Sequence, residues 1–211
     1  MLLKDVIEES KRILQEAYNR KVEIRLLGGV AIYYTCPSSK DPPLSRTYGD
    51  IDVIGLSRQS REISALFKGL GYKPGERFNA LYGYKRLIFN DFDNMRKIDV
   101  FLDIFEMAHG FDFKNRITVC RDTLPITDLL FTKLQIVKIN EKDLKDIILI
   151  LMDHDFGKDP CKNIELEYIT KITSEDWGIY KTFSNNLSKT LKYIDSFALN
   201  DEMKKNVSER I

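Results

Sequence analysis

Neither sign of charge is in excess in this chain: 33 lysines and arginines stand against 32 aspartates and glutamates, a formal net charge of +1. Bulk electrostatics therefore points to neither a nucleic-acid nor a membrane partner, and affinity for a polyanion has to come from a local basic groove. Cysteine is scarce as well. Cys36, Cys120 and Cys161 are odd in number, far apart and without CxxC spacing, which argues against a disulfide frame or a zinc site and for reduced thiols. Missing too is any apolar run near the roughly 18–20 residues of a membrane span, and "MLLKDVIEESKRIL" lacks the apolar region of a signal peptide. The expectation is a cytoplasmic protein with no membrane partner. The two histidines, His109 and His154, have no ligand partner at metal spacing and read as structural residues.

What is present is ordinary for a globular chain of 211 residues: 43% hydrophobic and 31% charged, enough to bury a core. Residues 3–18 carry Val6, Ile7, Ile13, Leu14 and Tyr18 at near-helical spacing, which predicts an amphipathic helix. "VEIRLL" (22–27) predicts a strand ending at Gly28-Gly29, and "VAIYYTC" (30–36) a short helix starting from the glycines. "PSSKDPPLSRT" (37–47) is a loop, with three prolines and three serines in eleven residues. "DIDVIGL" (50–56) predicts a strand, and 57–72 a helix with Ser57 as N-cap and Gly71 past its end. "RFNALYGYKRLIF" (77–89) and "KIDVFLDIF" (97–105), either side of the turn "NDFDN", predict an antiparallel pair, with Tyr82 and Tyr84 alternating on the first strand as stacking candidates. From 124 onward the periodicity is helical, with starts at Thr127-Asp128, Asn140 and Ser174-Glu175-Asp176. The change of composition near 121 divides the chain into a domain of residues 1–120 and a helical domain of 121–211.

Two features of this plan call for chemistry. In a strand the side chains alternate, so Asp50 and Asp52 share one face while Ile51 and Val53 take the other. Two carboxylates that close repel unless a cation lies between them. An all-oxygen donor set suits a hard ion such as magnesium, with manganese as the alternative, and such an ion completes its shell with substrate phosphates. The double glycine then acquires a purpose. A glycine turn opening a helix lets backbone amides approach a phosphate, and the helix N-terminus favours negative charge. A third acid comes from "KIDVFLD", with Asp99 preferred because it lies early in the strand after "MRK" and Asp103 in reserve. Acids from separate strands around metal and triphosphate are the equipment of two-metal transfer.

The order "GG", a spacer of about twenty residues holding a helix and a loop, "DID" and a distant strand acid resembles the nucleotidyltransferase superfamily with the DNA polymerase beta fold, over about residues 22–105. The resemblance implies an α+β fold: a mixed sheet flanked by helices, followed by a helical C-terminal region. It implies that Asp50, Asp52 and Asp99 are the catalytic and metal-holding acids, and that Gly28 and Gly29 cradle the nucleotide. "RTYGDIDV" also looks like the approach to the acid pair in many bacterial and archaeal members, which makes Arg46 and Thr47 candidate nucleotide-site neighbours. Downstream, "PITDLLFTKLQIVKINEKDLKDIILIL" is similar to the helical region of toxin-type nucleotidyltransferases of type IV toxin–antitoxin systems. There Lys133 is the candidate to hold the leaving pyrophosphate, and Lys142, Asp143 and Asp146 are its neighbours in the pattern.

The activity so implied is magnesium-dependent transfer of a nucleoside monophosphate from a nucleoside triphosphate to a hydroxyl acceptor, with release of pyrophosphate. The acceptor (tRNA or other RNA, protein or small molecule) is not specified by the sequence. The competing expectation is a catalytically degenerate relative that serves as a nucleotide-binding or toxin–antitoxin-like interaction module.

Overall fold

Helix α1 (Val6–Asn19) begins where the carboxylate of Asp5 accepts the N–H groups of Ile7 and Glu8, the cap that a helix N-terminus lacks on its own. In the computed structural model, which describes residues 2–211, strand β1 (Ile24–Leu27) ends at Gly28, and α2 (Gly28–Thr35) starts there. Strand β2 (Ile51–Gly55) is followed by a short 3-10 turn at 57–59 and α3 (Ser60–Leu70), which Gly71 closes with φ +102°. Next come β3 (Lys73–Pro74), α4 (Glu76–Tyr82), the hairpin β4 (Arg86–Asp91) and β5 (Arg96–Leu102), and the short β6 (Ile104–Glu106) and β7 (Gly110–Asp112). The rest is helical: α5 (Ile126–Leu134), α6 (Glu141–Asp153), α7 (Leu166–Glu175), α8 (Trp177–Tyr193) and α9 (Asp201–Glu209).

The sheet runs β1-β2-β5-β4-β3, with β6 and β7 added beyond β5. Its β2–β5 pair is parallel and its β1–β2, β4–β5 and β3–β4 pairs antiparallel. The expected α+β class with a mixed sheet and a helical C-terminal region is the one observed. Two compact units form: the first runs up to Ala31 and includes Thr47–Phe105 and Gly110–Leu124, and the second comprises Ile32–Arg46, Glu106–His109 and Pro125–Ile211.

In the first unit the pairing lines up Leu26, Val53, Val100 and Leu87 in one row and Ile51, Ile98 and Phe89 in the next. All are buried. Phe67 of α3 stacks on Phe89 at 4.9 Å, so this face carries the core. The opposite face therefore holds the rows Leu27, Asp52, Asp99, Ile88 and Arg25, Ile54, Phe101, Arg86. In the second unit α5 is buried along its whole length, and Phe131 packs on Phe183 of α8 at 5.2 Å. The amide of Asn186 donates to the carbonyls of Leu134 and Ile136, satisfying acceptors that the end of α5 leaves open.

Several local expectations are corrected. The segment 77–89 is a helix and then a strand: Phe78, Leu81 and Tyr82 have helical i, i+3, i+4 spacing, so Tyr82 ends α4 and Tyr84 lies in a turn. Ser57 does not cap α3, because its hydroxyl donates to Asp103 and the α-helix begins at Ser60. Pro125 occupies the N-cap of α5, and Thr127 accepts the N–H of Glu165 instead. Cys36 is a buried free thiol, whereas Cys120 and Cys161 are disulfide-bonded, against the expectation of three reduced thiols. Spacing along a chain carries no information on sulfur geometry in space, and the cysteine ground for a reducing compartment falls away. No helix among the described residues is long and apolar enough to cross a membrane.

Candidate functional site

The parallel register places Asp52 directly beside Asp99, 47 residues later in the chain. Paired residues on neighbouring strands project to the same face, so these two acids share the sheet face opposite the core. Asp50 precedes the first residue of β2, and its carboxylate accepts the backbone N–H of Lys97 at 3.1 Å. It is exposed, Asp52 is half-buried and Asp99 is only 7% exposed. Asp52 and Asp99 thus adjoin on one face, and Asp50 stands just before the start of β2.

Gly28 supplies the fourth feature. Its φ of +67° lies in the left-handed region, and a Cβ built on it would come within 2.5 Å of Asp52 Oδ2. A side chain is excluded there on both grounds, so the chain turns from β1 into α2 with its backbone against the Asp52 carboxylate. Gly29, inside α2, has no such positive φ. The two glycines are therefore not equivalent: the first makes the turn, the second continues the helix.

Sequence reasoning missed one of the two cations here, Arg86. Arg86 of β4 donates from Nη2 at 2.7 Å and from Nε at 3.0 Å to Asp99 Oδ1. Lys97 reaches Asp99 Oδ2 at 2.9 Å. A nearly buried carboxylate needs such compensation. The Arg86 guanidinium also lies 4.7 Å from the centre of the Phe101 ring. The alternation Lys97, Asp99, Phe101 and the hairpin pairing of 86 with 101 would have pointed to this group had 77–89 not been read as one strand.

Asp103, the reserve acid, sits past the end of β5 with φ +58°. Its carboxylate accepts the N–H and hydroxyl of Ser57, and the positive φ breaks the alternation that would have put it on the face of Asp99. Thr47 is exposed and outside regular structure. Among the described residues no three His, Cys, Asp or Glu side chains converge as a ready metal site. The adjoining carboxylates of Asp52 and Asp99 nevertheless offer the oxygen donors that a hard cation takes, with Asp50 just before β2 as a further one.

Arg46 and Lys133 belong to the second unit. The Arg46 fork grips Asp146 at 2.9, 3.1 and 3.2 Å. Lys133 Nζ lies 2.8 Å from Asp146 and 3.1 Å from Asp143. Burial by itself would lower the Lys133 pKa, but the two carboxylates hold it above the ordinary lysine value. Asp143 and Asp146 do share one face of α6, and their shared cation is Lys133 of α5, whereas Lys145 pairs with Glu141. Cys36 Sγ lies 3.7 Å from His154 Nε2, and burial pushes its thiol up to about 12, which makes it no nucleophile.

No family model matches the chain, and no curated protein does. Several solved structures are similar to it. The antibiotic-resistance factor ANT(2'')-Ia in solution aligns with 90% of this chain and 95% of its own, at 12% identity and a TM-score of 0.46. The lincosamide antibiotic adenylyltransferase LnuA with lincomycin bound aligns with 68% and 94%, at 17% and 0.47. ANT(2'')-Ia in complex with adenylyl-2''-tobramycin aligns with 87% and 97%, at 14% and 0.43.

Proposed function

We propose that the chain is a magnesium-dependent nucleotidyltransferase of the polymerase beta type, with its nucleotide site on the Asp52–Asp99 face of the first unit. One observation carries the reading: the parallel register sets two sequence-distant acids side by side, and a left-handed glycine turn presses against one of them. Asp50 and Asp52, with Asp99 beside them, would hold the ion. Bound there, it would neutralise triphosphate charge and favour departure of pyrophosphate. The Gly28-Gly29 turn, with the first amides of α2, offers backbone N–H donors to phosphate oxygens. Thr47 is a further candidate contact for the nucleotide. An acceptor hydroxyl directed by Asp99 attacks the α-phosphorus in line. A new acceptor O–P bond forms as the bond to the bridging oxygen breaks, and the hydroxyl proton passes to the Asp99 carboxylate. Catalysis is positioning plus charge compensation.

The test is calorimetric titration of each of the four nucleoside triphosphates, with and without magnesium, into wild type and the Asp50→Ala/Asp52→Ala variant. Magnesium-dependent binding that the variant loses is the expected result. Absence of binding in wild type, or equal binding by the variant, refutes the site. A second reading, nucleotide binding without transfer, is favoured by the engagement of Asp99 with Arg86 and Lys97. Slow release of pyrophosphate from the bound triphosphate distinguishes transfer chemistry from binding alone.

A further inference from the structure

We infer that Arg86 and Lys97 are the triphosphate's cationic contacts, held on Asp99 until a divalent ion takes over that carboxylate; this rests on the nucleotide site proposed above. The charges of the face lead there. Asp50, Asp52 and Asp99 against Arg86 and Lys97 leave these five groups one negative charge in total. A divalent ion would invert the sum of these five to one positive, which favours an anionic ligand. Without the ion, Asp99 is too buried to stand alone and draws both cations onto itself. With the ion, its oxygens gain a stronger partner and the cations lose their need of it.

Both side chains can make the exchange. The Arg86 side chain is about one third exposed and the Lys97 side chain 40% exposed. Arg86 presents five N–H donors and spends two atoms on Asp99. Its guanidinium rests on the Phe101 ring, a support that does not depend on the carboxylate. The fork geometry suits phosphate oxygens as well as it suits a carboxylate. Metal and triphosphate then bind cooperatively, because each removes the electrostatic obstacle to the other.

The experiment measures two ligands separately: manganese alone by its paramagnetic signal, and each nucleoside triphosphate by calorimetry at saturating magnesium. For Arg86→Gln/Lys97→Gln the two effects are expected to have opposite signs. Manganese alone binds about tenfold more tightly, its competitors for Asp99 being gone, while the triphosphate binds at least about tenfold more weakly. Arg86→Lys, which keeps one charge, recovers part of the triphosphate affinity. Affinities that fall together, or that do not move, overturn the inference, since a purely structural ion pair predicts one of those results. A misfolded variant cannot mimic tighter manganese binding. Wild type that binds neither ligand refutes the site itself, a different failure from unchanged variants of a protein that binds both.

Discussion

Gly28→Ala probes the turn where conformation and chemistry meet. At φ +67° an alanine pays about 1–2 kcal/mol for the left-handed backbone. Its Cβ would also sit 2.5 Å from Asp52 Oδ2, but only 3.4 Å from the Asp52 Cβ and Cγ. The atom in the way is thus the tip of a side chain with two torsions, and the cheapest relief turns that carboxylate aside. Two consequences separate. Stability should fall by about 1–2 kcal/mol, or roughly 2–8 °C in the thermal midpoint of a chain this size. The same cost should recur within about 0.5 kcal/mol in an Asp52→Ala background, since the clash is absorbed by rotation rather than by packing. Manganese and triphosphate affinity, in contrast, should fall as far as in Asp52→Ala itself. Urea unfolding of the four proteins of the cycle, with manganese titrations of each, reads both. A Gly28→Ala protein as stable as wild type refutes the backbone argument, and one that is destabilised yet binds manganese normally refutes the displacement of Asp52.

Asp103→Ala should cost about 1–2 kcal/mol through the loss of its bonds to Ser57, and weaken triphosphate binding along with stability by loosening one end of the β2–β5 register; lost binding with normal stability would instead make it a site acid. Lys133→Met should destabilise by about 3 kcal/mol or more in urea, because two buried carboxylates lose their shared cation, and a cost below about 1 kcal/mol would refute the buried-network reading. For Glu9, burial alone would raise the pKa, but hydrogen bonds from Arg12, Tyr72 and the Leu3 N–H outweigh it and hold the carboxyl below its ordinary 4.5. Its contribution is present above pH 4.5 and is lost as pH falls from there through the folded value. Glu9→Gln should flatten that part of the stability–pH curve, and an unchanged acid slope would count against it. Cys36 should resist alkylation at pH 8 until the chain unfolds, as a buried thiol held near 12 demands.

The first strands, the glycine turn and the helices α1, α2, α3, α5, α6 and α8 were legible because each rests on local pattern: alternation in "DIDVIGL", a helix stop at Gly71, helical periodicity over 140–154; α4, α7 and α9 were not. The pairing of Asp52 with Asp99 was legible only as an expectation from resemblance, since register is a long-range property. Arg86 was missed because "RFNALYGYKRLIF" contains a helix and a strand with apolar residues throughout, and a short apolar run does not distinguish the two. The partners of Asp143 and Asp146 were missed for a different reason. Neighbouring lysines looked sufficient, but burial selects the one cation on α5 that reaches both acids.

Asp103 shows why an acid near a site need not belong to its chemistry. A slip of one residue between β2 and β5 would turn Asp99 to the core face and dismantle the acid pair. Two polar contacts bracket that register. At one end the Asp50 carboxylate takes the N–H of Lys97. At the other, the N–H of Asp103 donates to the carbonyl of Gly55 at 2.9 Å while its carboxylate takes the N–H and hydroxyl of Ser57. Between them lie the five paired positions from Ile51–Ile98 to Gly55–Leu102, with Asp52 and Asp99 second in the series. Asp103 makes both bonds at a left-handed φ of +58°, which turns the chain off β5 beside the 3-10 turn that follows β2. Its role is thus to fix where Asp99 stands, and a charge-preserving Asp103→Glu change, which lengthens the reach to Ser57, should disturb the acid pair more than its small chemical difference suggests.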